Sequence, residues 1–120
     1  MSKTTQKEEL IHKIVESIQD TKGEDVMIFD LSGIENSVAE TFVICSGNSN
    51  TQVAAIAGNI EKKVRNDLKE RPWHVEGTEN AMWVLVDYVS VVVHIFQKQI
   101  REYYDIEELW GDAKITKVAD

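Results

Sequence analysis

Helical and strand periodicities alternate along this chain with little left between them. From about Thr5 to Asp20, Leu10, Ile11, Ile14, Val15 and Ile18 recur on one helical face, which predicts an amphipathic helix that Gly23 then breaks. Val26-Met27-Ile28-Phe29-Asp30-Leu31 and Thr41-Phe42-Val43-Ile44-Cys45 are nearly unbroken apolar runs, closed by Ser32-Gly33 and Ser46-Gly47. Runs that short and that apolar predict strands covered on both faces.

Ser49-Asn50-Thr51-Gln52 has the form of a capping box, in which the serine hydroxyl accepts from the Gln52 amide and the glutamine side chain reaches back. A long helix is predicted after it, with Val53, Ile56, Ala57, Ile60, Val64 and Leu68 as its inner stripe. Lys62, Lys63, Arg65 and Lys69 gather in its second half, where the helix dipole favours cations. Arg71-Pro72 marks its expected end, since proline disfavours helix at the residue before it. Three extended pieces follow, Trp73 to Glu76, Trp83 to Tyr88 and Val91 to Phe96, the last two joined through Val89-Ser90 as a tight hairpin. Gln97 to about Trp110 reads as a helix with Ile100, Tyr103, Tyr104 and Leu109 as contact positions, and Gly111 to Asp120 reads as a frayed tail. The expectation is a single α/β domain over residues 1–112, a mixed sheet with helices packed on it, and a C-terminal tail over 113–120.

Composition changes this picture only slightly. The 120 residues are 42% hydrophobic and 28% charged, the balance of a globular chain able to bury its own core. Twenty-one acidic against 13 basic residues leave a net charge of −8. A field of that sign repels phosphate backbones and speeds encounter with basic proteins, so neither broad electrostatic binding to RNA or DNA nor direct sequence-specific nucleic-acid binding is expected. The lone Cys45 excludes an internal disulfide, as fits a reducing compartment. The first residues carry no apolar core after their lysines, and no stretch approaches the ~20 apolar residues of a membrane span. A cytoplasmic protein with no membrane contact is expected.

Candidate chemistry is sparse. Cys45 lies inside an apolar strand and reads as core. His94, in Val91-Val92-Val93-His94-Ile95-Phe96, shares a face with Val92 and Phe96 and reads as a satisfied structural histidine, since no Cys/His pair has ligand spacing. Ser46-Gly47-Asn48-Ser49 lacks the lysine and spacing of a phosphate loop, so turn plus helix cap explains it better. No catalytic residue, metal ligand or cofactor is expected. Alternation along the next strand places Trp83, Leu85 and Asp87 on one face, and the following helix brings Tyr104 and Trp110 among Glu102, Asp105, Glu107, Glu108 and Asp112. An acidic surface bearing tryptophan and tyrosine suits a basic protein partner.

Several segments together resemble the Iojap family of ribosome silencing factors. They are Asp25 to Asp30, then Thr41-Phe42-Val43-Ile44-Cys45-Ser46-Gly47-Asn48-Ser49, then Val75-Glu76-Gly77, Trp83-Val84-Leu85-Val86-Asp87-Tyr88 and Val91-Val92-Val93-His94-Ile95-Phe96, and finally Tyr104 with Leu109-Trp110. The likeness covers about residues 7 to 112. It implies a nucleotidyltransferase-like fold used for binding rather than catalysis. The implied partner is the large ribosomal subunit, through ribosomal protein fourteen, at the face that meets the small subunit. Joining of the subunits would thereby be blocked and translation repressed when nutrients run short. By the same resemblance Trp83 matches a contact tryptophan, with Asp87, Tyr104, Leu109 and Trp110 as candidates beside it. One departure stands out: the family usually has Gly-Asp where this chain has Val89-Ser90. Valine resists positive φ, so the hairpin here must differ or be strained. The residues alone leave open an acidic adaptor, or a homodimeric binding module, for some other basic protein.

Overall fold

A computed structural model describes residues 3–34 and 39–119. In chain order the elements are α1 (Lys3–Asp20), β1 (Glu24–Asp30), β2 (Thr41–Gly47), α2 (Asn50–Leu68), β3 (His74–Glu76), β4 (Trp83–Asp87), β5 (Val91–Gln97), α3 (Lys98–Tyr104), α4 (Ile106–Leu109) and β6 (Lys114–Lys117). The six strands form one sheet in the order β3-β4-β5-β2-β1-β6. β2 and β5 run parallel and every other neighbouring pair runs antiparallel. The expected mixed α/β sheet is therefore present.

Side-chain alternation divides the core into two layers. On one face α1 and α2 cover Val43, Cys45, Val84, Val86, Val91, Val93 and Ile95 with Leu10, Ile14, Ile18, Val53, Ile56, Ile60 and Val64. On the other, Phe29, Phe42, Ile44, Val92 and Phe96 pack with Leu31, Ala39 and partly buried groups that include Ile100 and Trp110. The helix pair is held by more than apolar area. Asn59 Nδ2 donates to the Ser17 carbonyl at 2.9 Å, Lys13 pairs with Asp67 at 2.9 Å, and Lys63 pairs with Asp20 and Glu16.

The start of α2 follows its sequence closely, with one change. The Gln52 amide donates to Ser49 Oγ at 3.1 Å as a capping box requires, but Gln52 Oε1 accepts from the Asn48 amide, at 2.6 Å, one residue before the cap. The Gln52 Nε2 donates to the carbonyls of Thr21 and Lys22, so one side chain ties the helix start to the turn before β1. Ser49 thus acts as the helix cap and the Asn48 amide is taken up by Gln52, in agreement with turn plus cap. At the other end α2 stops at Leu68, short of Arg71-Pro72, because Lys69 takes a left-handed conformation (φ 60) and returns its amide to the Arg65 carbonyl.

Two expectations for the C-terminal part are corrected. The helix from Gln97 to Trp110 is broken in two, since Asp105 adopts φ 45 after α3 and redirects the chain into α4. The segment 113–120 is not a frayed tail over its length. Lys114–Lys117 pairs antiparallel with β1, Met27 opposite Lys117 through Asp30 opposite Lys114, and the Val118 amide donates to the Val26 carbonyl. β1 would otherwise present a bare row of backbone donors and acceptors at the sheet edge, and this pairing satisfies them.

Candidate functional site

The more thinly covered sheet face carries a continuous aromatic band. Trp83 stacks on Phe96 with ring centroids 4.8 Å apart and lies tilted against Tyr104 at 5.3 Å. Phe42 meets His94 edge-on at 4.7 Å and Trp110 edge-on at 5.4 Å. The sheet register explains this convergence, because Trp83 is opposite Phe96 on β5, and Phe42 on β2 is opposite Val92, two positions before His94. α3 follows β5 directly and brings Tyr104 back over Trp83.

Trp83 is held rather than loose. Its indole Nε1–H donates to His94 Nδ1 at 3.1 Å, yet 36% of the residue is exposed. Backbone pins it as well. Gly77 sits at φ 85, and a Cβ there would lie 2.1 Å from the Trp83 carbonyl oxygen, so the loop closes on β4 only because that position lacks a side chain.

His94 departs from the sequence reading of a satisfied histidine. With Nδ1 accepting from Trp83, the ring proton belongs on Nε2, and among the described residues Nε2 has no hydrogen-bond partner. Burial, opposed by the charge of Asp87, lowers its pKa to about 4, so at neutral pH the ring is uncharged and the tether to Trp83 is intact. Cys45 faces the helix layer, away from His94, and burial pushes its thiol up to about 12. A thiol of that kind is core. Among the described residues no group of three His, Cys, Asp or Glu side chains is placed to hold a metal ion, and no helix is long and apolar enough to cross a membrane.

Of the five residues expected at a partner surface, the structure gathers Trp83, Tyr104 and Trp110 on this band, with Leu109 beside Trp110 and 69% exposed. Trp110 is half-buried against the core, so it supports the surface as much as it offers one. Asp87 shares the β4 face but lies at the far end of the strand, where its Oδ1 accepts from the Val89 amide at 2.7 Å. The hairpin there is strained, one of the two outcomes its sequence allowed. Val89 has φ 75 and the Ser90 amide donates to the Tyr88 carbonyl at 3.0 Å, a γ-turn of the rare positive-φ kind. Asp87 thus braces a turn. Exposed Glu102, Asp105, Glu108 and Asp112 rim the α3–α4 side.

Sequence reasoning missed two residues. Arg101 is buried and donates through Nη1 to the Asp25 carbonyl at 2.7 Å and Ser46 Oγ at 2.9 Å, anchoring α3 to the sheet. No spacing rule singles out one arginine in an acidic helix. Trp73, taken as the start of a strand, is 75% exposed just before β3.

A family described as "Ribosomal silencing factor during starvation" matches residues 4–120. The chain is 44% identical over 111 residues to ribosomal silencing factor RsfS of Halalkalibacterium halodurans, covering 92% of this chain and 93% of that one. It is 45% identical over 98 residues to RsfS of Bacillus subtilis, covering 81% and 80%. The crystal structure of protein CV0518 from Chromobacterium violaceum superposes with a TM-score of 0.82 at 34% identity, covering 94% of this chain and 92% of that one.

Proposed function

The chain belongs to the ribosomal silencing factor family, and from that premise we propose that it docks through its aromatic band on ribosomal protein fourteen of the large subunit and blocks joining of the small subunit. The single observation that carries this reading is the exposed, tethered Trp83 between Tyr104 and Phe96, with exposed Glu102, Asp105, Glu108 and Asp112 along the α3–α4 segment that supplies Tyr104. A held aromatic on an acidic chain has the form of a hot spot for a basic protein, because its ordering cost is already met before binding. Silencing of this kind requires no chemistry. A footprint of about 800 Å² per partner at the joining face excludes the other subunit sterically. Nutrient limitation is the condition under which such repression would act, in the compartment that holds the ribosomes.

The test is co-sedimentation with isolated large subunits, small subunits and joined ribosomes. Travel with large subunits alone, and fewer joined ribosomes on addition, supports the reading. Trp83→Ala should weaken binding to large subunits by about 2 kcal/mol or more while the fold persists. A folded variant of unchanged affinity would remove Trp83 from the contact. Absence of the wild type from every ribosomal fraction would leave an acidic adaptor or homodimeric module in its place.

A further inference from the structure

The opposite layer of the molecule carries a second surface of different character. A groove of about 470 Å³ runs between the end of α2 and the entry to β3, lined by Glu61, Arg65, Arg71, Pro72, Trp73, His74 and Val75. Trp73 is the most exposed tryptophan of the chain. Its exposure is built in, because the Trp73 amide donates to the Asp87 carbonyl at 2.7 Å and fixes the backbone beneath the ring.

Charge concentrates there against the trend of the chain. The net charge is −8 overall, yet between Glu61 and Val75 five lysines and arginines stand against three acids. Of these five, Lys63 is engaged across the helix pair by Glu16 and Asp20, and of the three acids Asp67 is engaged by Lys13. Lys62, Arg65, Lys69 and Arg71 are all exposed and make no ion pair with a described residue. Lys62 and Arg65 stand three apart on one helical face, and Lys69 caps the same end. Cations left unpaired beside a presented indole are the two components of a single-stranded nucleic-acid contact: phosphates against guanidinium groups and a base against the ring.

We infer that this groove binds a segment of ribosomal RNA, with Arg65 and Arg71 on phosphates and Trp73 stacked on a base. The contact is local and indifferent to sequence, so it is compatible with an acidic whole. It rests on the ribosomal reading above and adds a second attachment on the layer opposite the aromatic band. Glu61 on the groove wall disfavours a continuous phosphate track and limits the contact to a few nucleotides.

Two experiments on the full chain test it. A photoreactive phenylalanine derivative placed at position 73 and irradiated on large subunits should yield a crosslink that ribonuclease removes. A crosslink to ribosomal protein alone overturns the inference. In the second, Trp73→Ala and the double variant Arg65→Ala/Arg71→Ala are compared with wild type and Trp83→Ala for large-subunit binding at several salt concentrations. The expected result is roughly tenfold weaker binding for Trp73→Ala. The double variant should flatten the slope of log affinity against log salt by roughly 1.4, about 0.7 for each phosphate that is no longer neutralised. Groove variants that bind like wild type, while Trp83→Ala does not, overturn the RNA contact and leave the protein docking intact. Wild type that fails to bind large subunits overturns both.

Discussion

At the scale of single residues, His94 links stability to the docking surface. Its folded pKa of about 4 lies below the usual histidine value of 6.5. The unfolded chain therefore takes up a proton in a range where the folded chain does not. The contribution of the neutral ring is complete above about pH 6.5 and is lost as pH falls toward 4. Between pH 6.5 and 5 the unfolding free energy should decline by up to about 1.4 kcal/mol per pH unit on this account. Urea unfolding at pH 5, 6 and 7 measures it, and His94→Asn, which keeps an acceptor near Nδ1 but does not titrate, should lack the step. An equal decline in wild type and variant would assign the effect to other groups. The sequence showed which face His94 occupies, but not its partner. Alternation fixes the side of a strand, whereas the indole nitrogen that reaches His94 comes from Trp83 on the neighbouring strand. Val89 was the converse case, since a β-branched residue in a two-residue hairpin announces its own strain, and φ 75 is where it went.

Among the elements, legibility tracked apolar periodicity. α1, α2 and β4 bury periodic stripes, and β1, β2 and β5 announce themselves as short, nearly unbroken apolar runs. β6 does not, because all four of its residues, Lys114, Ile115, Thr116 and Lys117, are exposed and carry no burial pattern. Its placement comes from unpaired groups on β1, information that lies outside its own segment. The break at Asp105 was likewise hidden, since nothing local forbids a continuous helix there until the left-handed residue is seen. Deleting residues 114–120 should therefore lower stability by about 3 kcal/mol, on the order of a few net backbone hydrogen bonds at roughly 1 kcal/mol each plus the packing that Val118 supplies. Denaturant titration reads this as a lower midpoint with the fold retained. A truncated chain with the wild-type midpoint would show that the edge pairing contributes nothing in solution. Exposure of β1 as a new edge should also raise its tendency to associate.

For the molecule as a whole, charge and aromatic groups are divided between two layers, and this division separates the two proposed contacts kinetically. Trp83, Tyr104 and Trp110 of the band were singled out in the sequence for the partner surface, but Phe42, His94 and Phe96 were not, since the pairing of β2, β4 and β5 brings them together. The groove around Trp73 was not legible either, since it forms only when α2 and β3 meet. The acidic field over the whole chain should accelerate encounter with an isolated basic protein, and salt should slow that association while changing dissociation little. Arg65→Ala/Arg71→Ala makes the chain more acidic by two charges without touching the band. With isolated ribosomal protein fourteen, the double variant should therefore associate as fast as wild type or faster at low salt. With whole large subunits the same variant should bind more weakly, because two cations no longer hold the RNA. Stopped-flow association with the isolated protein, set beside sedimentation with subunits, checks the pair of signs. Slower association with the isolated protein would place the arginines in the protein contact and merge the two surfaces into one. Opposite signs would require two, since no single contact with a basic protein gains from losing cations while the complete particle loses affinity.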